Sequence, residues 1–390
     1  MDVTIVQKPK QLMNPFDSDM AAFIHAQMRR HGVKLALGYT VEGFEERDGG
    51  VDVLLQDSQP IHADMVVLAI GVTPDTDLAK QAGLELGIRD SIAVNDRMET
   101  SVPDIYAVGD AVQVRHVVTG EEALISLAGP ANKQGRIAAD NICGKDSRYQ
   151  GSQGSSVIKI FDMTAAATGI SETAARRAGL NADSVILSPM SHAGYYPGGK
   201  MMTMKVVFEK EAFRLLGAQI VGYEGVDKRI DVLASAIHMG MTGPDLKELD
   251  LAYAPPYSSA KDPVNMAGFM MENIADGTLK QWHLSDLDTL PRDGSVTLLD
   301  TRTMGEFRRG HIEGFRNIPV DELRERLEEV EQGKPVYVIC QSGLRSYIAC
   351  RILEGNGYEA YNFSGGFRFY DAVVNDRALI EAAFDCGMDR

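Results

Sequence analysis

Apolar positions change their rhythm along this chain, and the changes mark its parts. Asp2 to Val6 reads as a strand. Between Asp19 and Arg30, Met20, Phe23, Ile24 and Met28 recur at helical spacing and predict a helix. Short strand patterns then alternate with turn signals: Tyr39 to Glu45, an Asp48-Gly49-Gly50 turn, Val51 to Leu55, and Met65 to Ile70. Gly71-Val72-Thr73-Pro74 stops the last of these. The polar stretch from Lys145 to Ser155, with several Gly and Ser residues, is expected to be a linker. Beyond it the pattern predicts strands at Val157 to Phe161, Ser184 to Leu187, Met201 to Phe208 and Leu215 to Val221, and a helix around Val226 to His238. That mixture suggests a compact α+β domain. Pro255-Pro256-Tyr257-Ser258 is expected to be irregular and extended. From Val296 onward, apolar strands at Val296 to Leu299 and Val336 to Ile339 alternate with helices, the pattern of a parallel α/β unit.

Length and charge narrow the picture. A chain of 390 residues suggests two to four domains. With 44% hydrophobic and 24% charged residues, packed cores are expected rather than disorder. The formal net charge of −16 argues against nucleic acid as the main partner, because phosphate binding needs a basic face. No apolar run approaches the roughly 20 residues of a membrane span. Met1-Asp2-Val3-Thr4 lacks the layout of a secretory leader. The four cysteines, Cys143, Cys340, Cys350 and Cys386, have no metal-ligand spacing and are too few for a disulfide scaffold. A reducing cytoplasm is the expected location, where a lone cysteine is more plausibly catalytic than cross-linked.

One cysteine stands out by position. Val336-Tyr337-Val338-Ile339 runs into Cys340, then Gln341-Ser342-Gly343-Leu344-Arg345, then a helical stretch through Leu353. A cysteine between a strand end and a helix N-terminus can have its sulfur ringed by backbone N–H groups, and the helix dipole and Arg345 favour the thiolate. The same cradle holds an anion or a terminal persulfide sulfur. Gly343 lets the loop bend and Ser342 can donate a hydrogen bond. Taken alone, Cys340 reads equally as a small buried hydrophobe.

Its surroundings carry a resemblance. Asp300-Thr301-Arg302, Glu306-Phe307, Gly310-His311-Ile312, Gly314, Asn317-Ile318-Pro319 and Ser364-Gly365-Gly366-Phe367, together with the Cys340 loop, resemble the rhodanese family over roughly the last 110 residues. The six-residue loop is similar to that of sulfur-transferring members. The resemblance implies that Cys340 carries a persulfide and that Asp300, Arg302 and Arg345 set up or stabilise the site. Cys350, inside the following helix, reads as core packing.

The front half carries a second resemblance. Thr100 to Asp110 reads as an apolar strand ending in Gly109-Asp110. A carboxylate there suits a sugar or ribityl hydroxyl, and it equally suits a helix cap. Gly71-Val72-Thr73-Pro74, the Thr100 to Asp110 string and Leu127 to Arg136 resemble the pyridine-nucleotide-disulfide oxidoreductases. Within them the chain looks like the coenzyme A disulfide reductases and related persulfide or polysulfide reductases with a fused rhodanese. The implied cofactors are FAD and NAD(P)H, with coenzyme A as substrate or bound thiol. Asp110 would bind the FAD ribityl chain, with Gly109 and Gly71 close to the cofactor. The helix beginning near Pro130 and Ala131 would point its N-terminus at the flavin ring. The family pairs two subunits, so a homodimer is implied, with Tyr195 and Tyr253 approaching the partner's thiol site or serving as interface packing.

The implied fold is α/β, with partial Rossmann-like FAD/NAD(P) domains, an α+β dimerisation domain and a C-terminal α/β rhodanese domain. The corresponding spans are 1–70 for part of an NAD(P)-binding domain, 71–150 for the C-terminal part of an FAD-binding domain, 151–276 for dimerisation and 277–390 for rhodanese. The family's Gly-x-Gly-x-x-Gly turn, its redox cysteine and its second glycine turn have no counterpart in this sequence, so the chain is expected to start midway through a Rossmann unit. Gln7 stands where an acidic residue would hold the NAD ribose, and Lys8 and Lys10 suit an NADP 2′-phosphate or are simply solvated. The implied substrate is a small disulfide, persulfide or polysulfide. A stand-alone sulfurtransferase with a flavoprotein remnant and a non-enzymatic dimerisation fragment are the competing expectations.

Overall fold

The computed structural model describes residues 1–382; Cys386 lies outside them. Strand β1 (Thr4–Gln7) leads to helix α1 (Ser18–Arg30) and returns to pair in parallel with β2 (Lys34–Leu37). Strands β3 (Val41–Arg47), β4 (Gly50–Leu55) and β5 (Ile61–Ala63) form an antiparallel meander through a turn at Asp48-Gly49. After α2 (Asp77–Gln81), a ribbon of β6 (Val114–Arg115) and β7 (Glu122–Ala123) precedes α3 (Ala128–Ile142). Met98, Val112, Val114, Ala138 and Tyr149 make a small core there.

Three expectations change in this region. Met65 to Ile70 forms no strand, and Val67 and Ile70 are 75% and 91% exposed. Among the described residues no strand lies beside it, and an extended apolar run has no ladder to join without one. Thr100 to Asp110 is not a continuous strand either. Val102 O accepts from Ile105 N–H at 3.3 Å, with Asp104 at φ +65°, so the chain folds back before reaching Gly109. The stretch from Lys145 to Ser155 is docked rather than loose: Tyr149 is buried, its N–H donates to Asp96 O at 2.7 Å, and Ser152 N–H donates to Arg115 O at 3.1 Å.

The middle of the chain is one antiparallel sheet in the order β10-β11-β12-β9-β8, built from β8 (Ser156–Ile160), β9 (Met163–Gly169), β10 (Ala182–Leu187), β11 (Thr203–Glu209) and β12 (Leu215–Gly222). Helix α4 (Glu172–Arg177) joins β9 to β10. Alternate side chains point to opposite faces, and here both faces are covered. Met204, Val206, Phe208, Leu216, Ala218 and Ile220 pack against α5 (Val226–His238) and α6 (Pro263–Ala275). Ala165, Ala167, Ile186 and Val221 face the other way, into a core shared with Met20 and Ile24 of α1 and with Trp282 and Phe369 from the C-terminal region. This double covering explains why these strands read as apolar runs without alternation.

Lys205 is the charged exception on the second face, only 2% exposed. Its ammonium meets Asp19 (2.7 Å), Glu172 (2.9 Å) and Asp17 (3.2 Å), tying α1 to the sheet. Burial pushes the Asp17 carboxyl up, but Lys205, Thr173 and Gln219 more than reverse this and hold it at about 2. Asp19 goes the other way, because burial outweighs the attraction of Lys205.

The C-terminal region is a parallel sheet in the order β13-β17-β16-β14-β15, from β13 (Gln281–Trp282), β14 (Thr297–Asp300), β15 (Arg316–Asn317), β16 (Val336–Ile339) and β17 (Ala360–Phe363). Helices α7 (Met304–Arg309), α8 (Leu344–Glu354) and α9 (Gly366–Glu381) complete it. Val336, Val338, Leu299 and Ala360 pack toward α8, while Ile339, Leu298 and Phe363 pack toward α9 and α1. Contacts to the middle sheet are also polar: Ser364 Oγ accepts from Ile186 N–H at 3.1 Å, and His283 Nε2 lies 2.8 Å from Asp183.

Candidate active site at the sulfur loop

Cys340 sits at the C-terminal end of the central strand β16, where ligands gather in open parallel sheets. Its sulfur receives the Gly343 N–H at 3.1 Å and the Ser346 hydroxyl at 3.2 Å. Gly343 is the N-cap of α8 at φ +97°, so the first turn of that helix opens toward the sulfur. The loop is backed by the glycine pair after β17. A Cβ on Gly366 would stand 2.6 Å from Ser342 N, so only glycine allows this approach. Phe367 N–H holds Cys340 O at 2.7 Å and Arg368 N–H holds Gln341 O at 3.1 Å.

The charged residues expected around the sulfur form a second layer. Arg345 makes a two-pronged pair with Glu306 at 2.7 and 2.8 Å. The pair, with Thr303 hydrogen bonds, overrides partial burial and holds the Glu306 carboxyl at about 2. The Arg345 cation is likewise strengthened, by Glu306 first, with Cys340 and Asp300 adding smaller electrostatic attractions. Asp300 and Arg302 are fully buried and paired at 2.7 Å behind the loop. Arg302 also donates to Gly310 O at 2.8 Å and stands 3.8 Å from the centroid of the Phe367 ring. None of the three makes a hydrogen bond to the sulfur. Ser346 and Glu306 were not singled out as site residues from the sequence, although Glu306 lies in the quoted string. Cys350 is buried in the α8 core, and burial pushes its thiol up. Cys340 itself is fully buried, whereas Cys143 is exposed.

Tyr195 and Tyr253, 58 positions apart, meet hydroxyl to hydroxyl at 2.7 Å, both exposed. The Tyr195 hydroxyl pushes the Tyr253 phenol above its ordinary value. Buried Arg229 of α5 arranges the loops that carry them. It donates to Ser191 O (3.0 Å) and pairs with Asp262 (3.0 Å), and Ser258 donates to the same carboxylate at 2.6 Å. Ala193 N–H then closes on Ser258 O at 2.9 Å. A cavity of about 580 Å³ beside Tyr253 is lined by His192, Glu224, Lys228 and Tyr257.

The residues assigned to the flavin side lie elsewhere. Gly109 has φ +87°, open space where a Cβ would be, and an N–H held by Gln134 at 2.7 Å. Asp110 is exposed and has no hydrogen-bond or ion-pair partner among the described residues. Pro130 and Ala131 lie in the first turn of α3, which has no side-chain cap. Gly71 lies in an exposed turn at φ +103°, and Lys8 is exposed just after β1.

The fold and the site together describe a βαβ-containing front half joined to a five-stranded antiparallel sheet and a parallel α/β domain that presents Cys340 at a strand end. Family models agree: pyridine nucleotide-disulphide oxidoreductase over residues 1–135, the dimerisation domain of that family over 155–263, and a rhodanese-like domain over 283–372. The NAD(P)H sulfur oxidoreductase (CoA-dependent) of Pyrococcus abyssi is 36% identical over 260 residues, covering 67% of this chain and 58% of the relative. Reduced CoADR-RHD of Bacillus anthracis superposes with a TM-score of 0.93 at 46% identity, covering 97% of this chain and 67% of that one. The NAD-dependent persulfide reductase from A. fulgidus gives 0.88 at 37% identity, covering 95% and 67%. The chain belongs to the pyridine nucleotide-disulphide oxidoreductase family and carries a C-terminal rhodanese-like domain. It spans 58% of the length of the Pyrococcus abyssi relative.

Proposed function

We propose that this chain serves an FAD- and NAD(P)H-dependent reduction of coenzyme A disulfide, coenzyme A persulfide or polysulfide, in which its rhodanese region accepts or delivers sulfane sulfur at Cys340. The observation that carries the reading is the pair of donors on the Cys340 sulfur, in a chain that resembles CoA-dependent sulfur reductases. In the sulfur step the Cys340 thiolate attacks the outer sulfur of a donor such as thiosulfate. The donor S–S bond breaks, sulfite leaves with the electron pair, and Cys340 holds a persulfide. An acceptor thiolate or cyanide then attacks the terminal sulfur and returns Cys340 as thiolate. Gly343 N–H and Ser346 hold the negative charge at the start and end of this cycle. Arg345, fixed by Glu306, adds positive potential at the loop, and Asp300 with Arg302 positions the strand end.

The front-half residues fit one side of a flavin. Asp110 offers an unpartnered carboxylate for ribityl hydroxyls, Gly109 leaves room for close approach, and the first turn of α3, which holds Pro130 and Ala131, offers the N–H groups of Ala128 and Gly129 to the ring. FAD, when bound, supplies hydride acceptance from NAD(P)H and two electrons for the sulfur substrate. Lys8 would face a nicotinamide-cofactor phosphate. The Tyr195–Tyr253 pair would donate a hydroxyl proton toward a thiolate at the partner subunit's site. A homodimer is supported by edge strand β8, which exposes Val157 and Ile158, with Phe161 exposed just beyond it. The free state of the described cysteines suits a reducing, cytoplasmic setting, and the net charge of −16 disfavours nucleic acid. Among the described residues no helix is long and apolar enough to cross a membrane.

A stand-alone sulfurtransferase is the second reading, favoured by the fact that Cys340 already has its donors in place within this chain. An absorption spectrum and a thiosulfate-to-cyanide assay on one purified sample separate the two. Bound flavin with sulfur transfer supports the reductase reading, and colourless protein with transfer supports the second. Transfer that persists in Cys340→Ser refutes both.

A further inference from the structure

A cavity of about 440 Å³ opens where α1, the middle sheet and α9 meet. Its apolar wall includes Phe23, Met163, Met201 and Val221, and its cations are Arg29, Arg30 and Arg368. Arg29 is matched by Asp376, which also takes His25 Nδ1 at 2.8 Å. That leaves Arg30 and Arg368 facing Asp371 on the lining. Arg30 donates to the Tyr223 hydroxyl at 3.3 Å. The Nη1 atom of Arg368 is buried and has no hydrogen-bond partner among the described residues, and its guanidinium stands 5.8 Å from the centroid of the Phe23 ring. Burial disfavours this cation, and no carboxylate among the described residues offsets the effect.

A buried guanidinium N–H left unpaired is costly, since it has given up water and gained nothing in return. A planar cation beside apolar and aromatic side chains suits an oxyanion attached to an apolar body. The cavity volume falls within the roughly 300–1,000 Å³ of small-molecule sites. We propose that this cavity binds a small organic oxyanion, its phosphate or carboxylate head on Arg368 and Arg30 and its apolar body against Phe23, Met163 and Val221. Because Arg368 N–H also holds Gln341 O at 3.1 Å, the ligand bears on a residue that backs the sulfur loop.

Calorimetric titration of the full chain with phenyl phosphate, benzoate and inorganic phosphate tests the assignment. One saturable site is expected for phenyl phosphate or benzoate, and the tighter of the two identifies the head group. Inorganic phosphate, lacking the apolar body, binds more weakly. Arg368→Met keeps most of the stem and removes the charge, so binding weakens about tenfold or more, the worth of one charge-assisted pair. Arg30→Gln, an exposed change that leaves the packing untouched, weakens it several-fold and guards against a folding defect in the first variant. The proposal is overturned by the absence of saturable binding for both organic anions, by equal affinity for inorganic and phenyl phosphate, or by unchanged binding in both variants.

Discussion

Replacing Lys205 with Met removes the single cation that three carboxylates share on the α1 face of the middle sheet. The methionine fills nearly the same volume, so little packing is lost. What remains is Asp17, Asp19 and Glu172, previously held at 2.7 to 3.2 Å from one ammonium, now facing each other without it. Removing one partner of a buried ion pair costs roughly 3–5 kcal/mol, because the other charge stays desolvated. Asp17 keeps its Thr173 and Gln219 hydrogen bonds, which places the expected loss near the lower end, about 3 kcal/mol. Hydrogen exchange at the α1 amides reads this locally, without requiring the whole chain to unfold as one unit. Exchange should accelerate by about two orders of magnitude at pH 7. The pH dependence gives a second check. In the native chain the Asp17 carboxyl is held at about 2, below its ordinary 3.8, so its stabilisation is present above the ordinary value and lost as pH falls toward about 2. In the variant all three carboxyls rise, folding takes up protons, and the deficit shrinks between pH 7 and pH 5. Exchange within about threefold of the native chain, or a deficit that widens on acidification, would refute the view that Lys205 fastens α1 to the sheet.

Ser346→Ala removes one of the two donors to the Cys340 sulfur. Its single hydroxyl proton is shared with Gly343 O at 3.0 Å, so the loss is at the low end for a charge-assisted bond, and thiosulfate-to-cyanide transfer should fall about tenfold. An unchanged rate would remove Ser346 from the site. Gly366→Ala puts a methyl 2.6 Å from Ser342 N and should abolish transfer while far-ultraviolet circular dichroism stays native. Full activity would show that the loop does not depend on this approach. Sedimentation should give a dimer at micromolar concentration, with an interface above about 2,000 Å², and a monomer would contradict the reading of the exposed β8 edge. Brief iodoacetamide labelling should favour exposed Cys143 over buried Cys340, because access as well as thiolate character governs the rate. Peptide mapping that finds Cys340 labelled first would show that the loop opens readily.

Much of this protein was legible in one dimension. The helix at Val226 to His238 and the strand at Val336 to Ile339 appear with the expected bounds. The Cys340 loop was recognisable because its chemistry is local: strand, nucleophile, glycine and helix N-terminus are consecutive, and the backbone alone brings N–H groups to the sulfur. Gly366 was part of the recognised string, but only the fold shows that it is needed for close approach to Ser342. Contacts between distant positions could not be read in the same way. The Tyr195–Tyr253 hydroxyl contact, the Arg229–Asp262 clamp and the Lys205 cluster join residues 33 to 188 positions apart, and no periodicity encodes such partners. Arg345 illustrates the difference. Beside Cys340 in sequence it was expected to act on the sulfur, yet its fork fits the Glu306 carboxylate, so its charge reaches the loop only from the second layer. Met65 to Ile70 failed for the complementary reason: an apolar run specifies a strand only when a neighbouring strand offers hydrogen bonds, and that neighbour is a property of the tertiary structure.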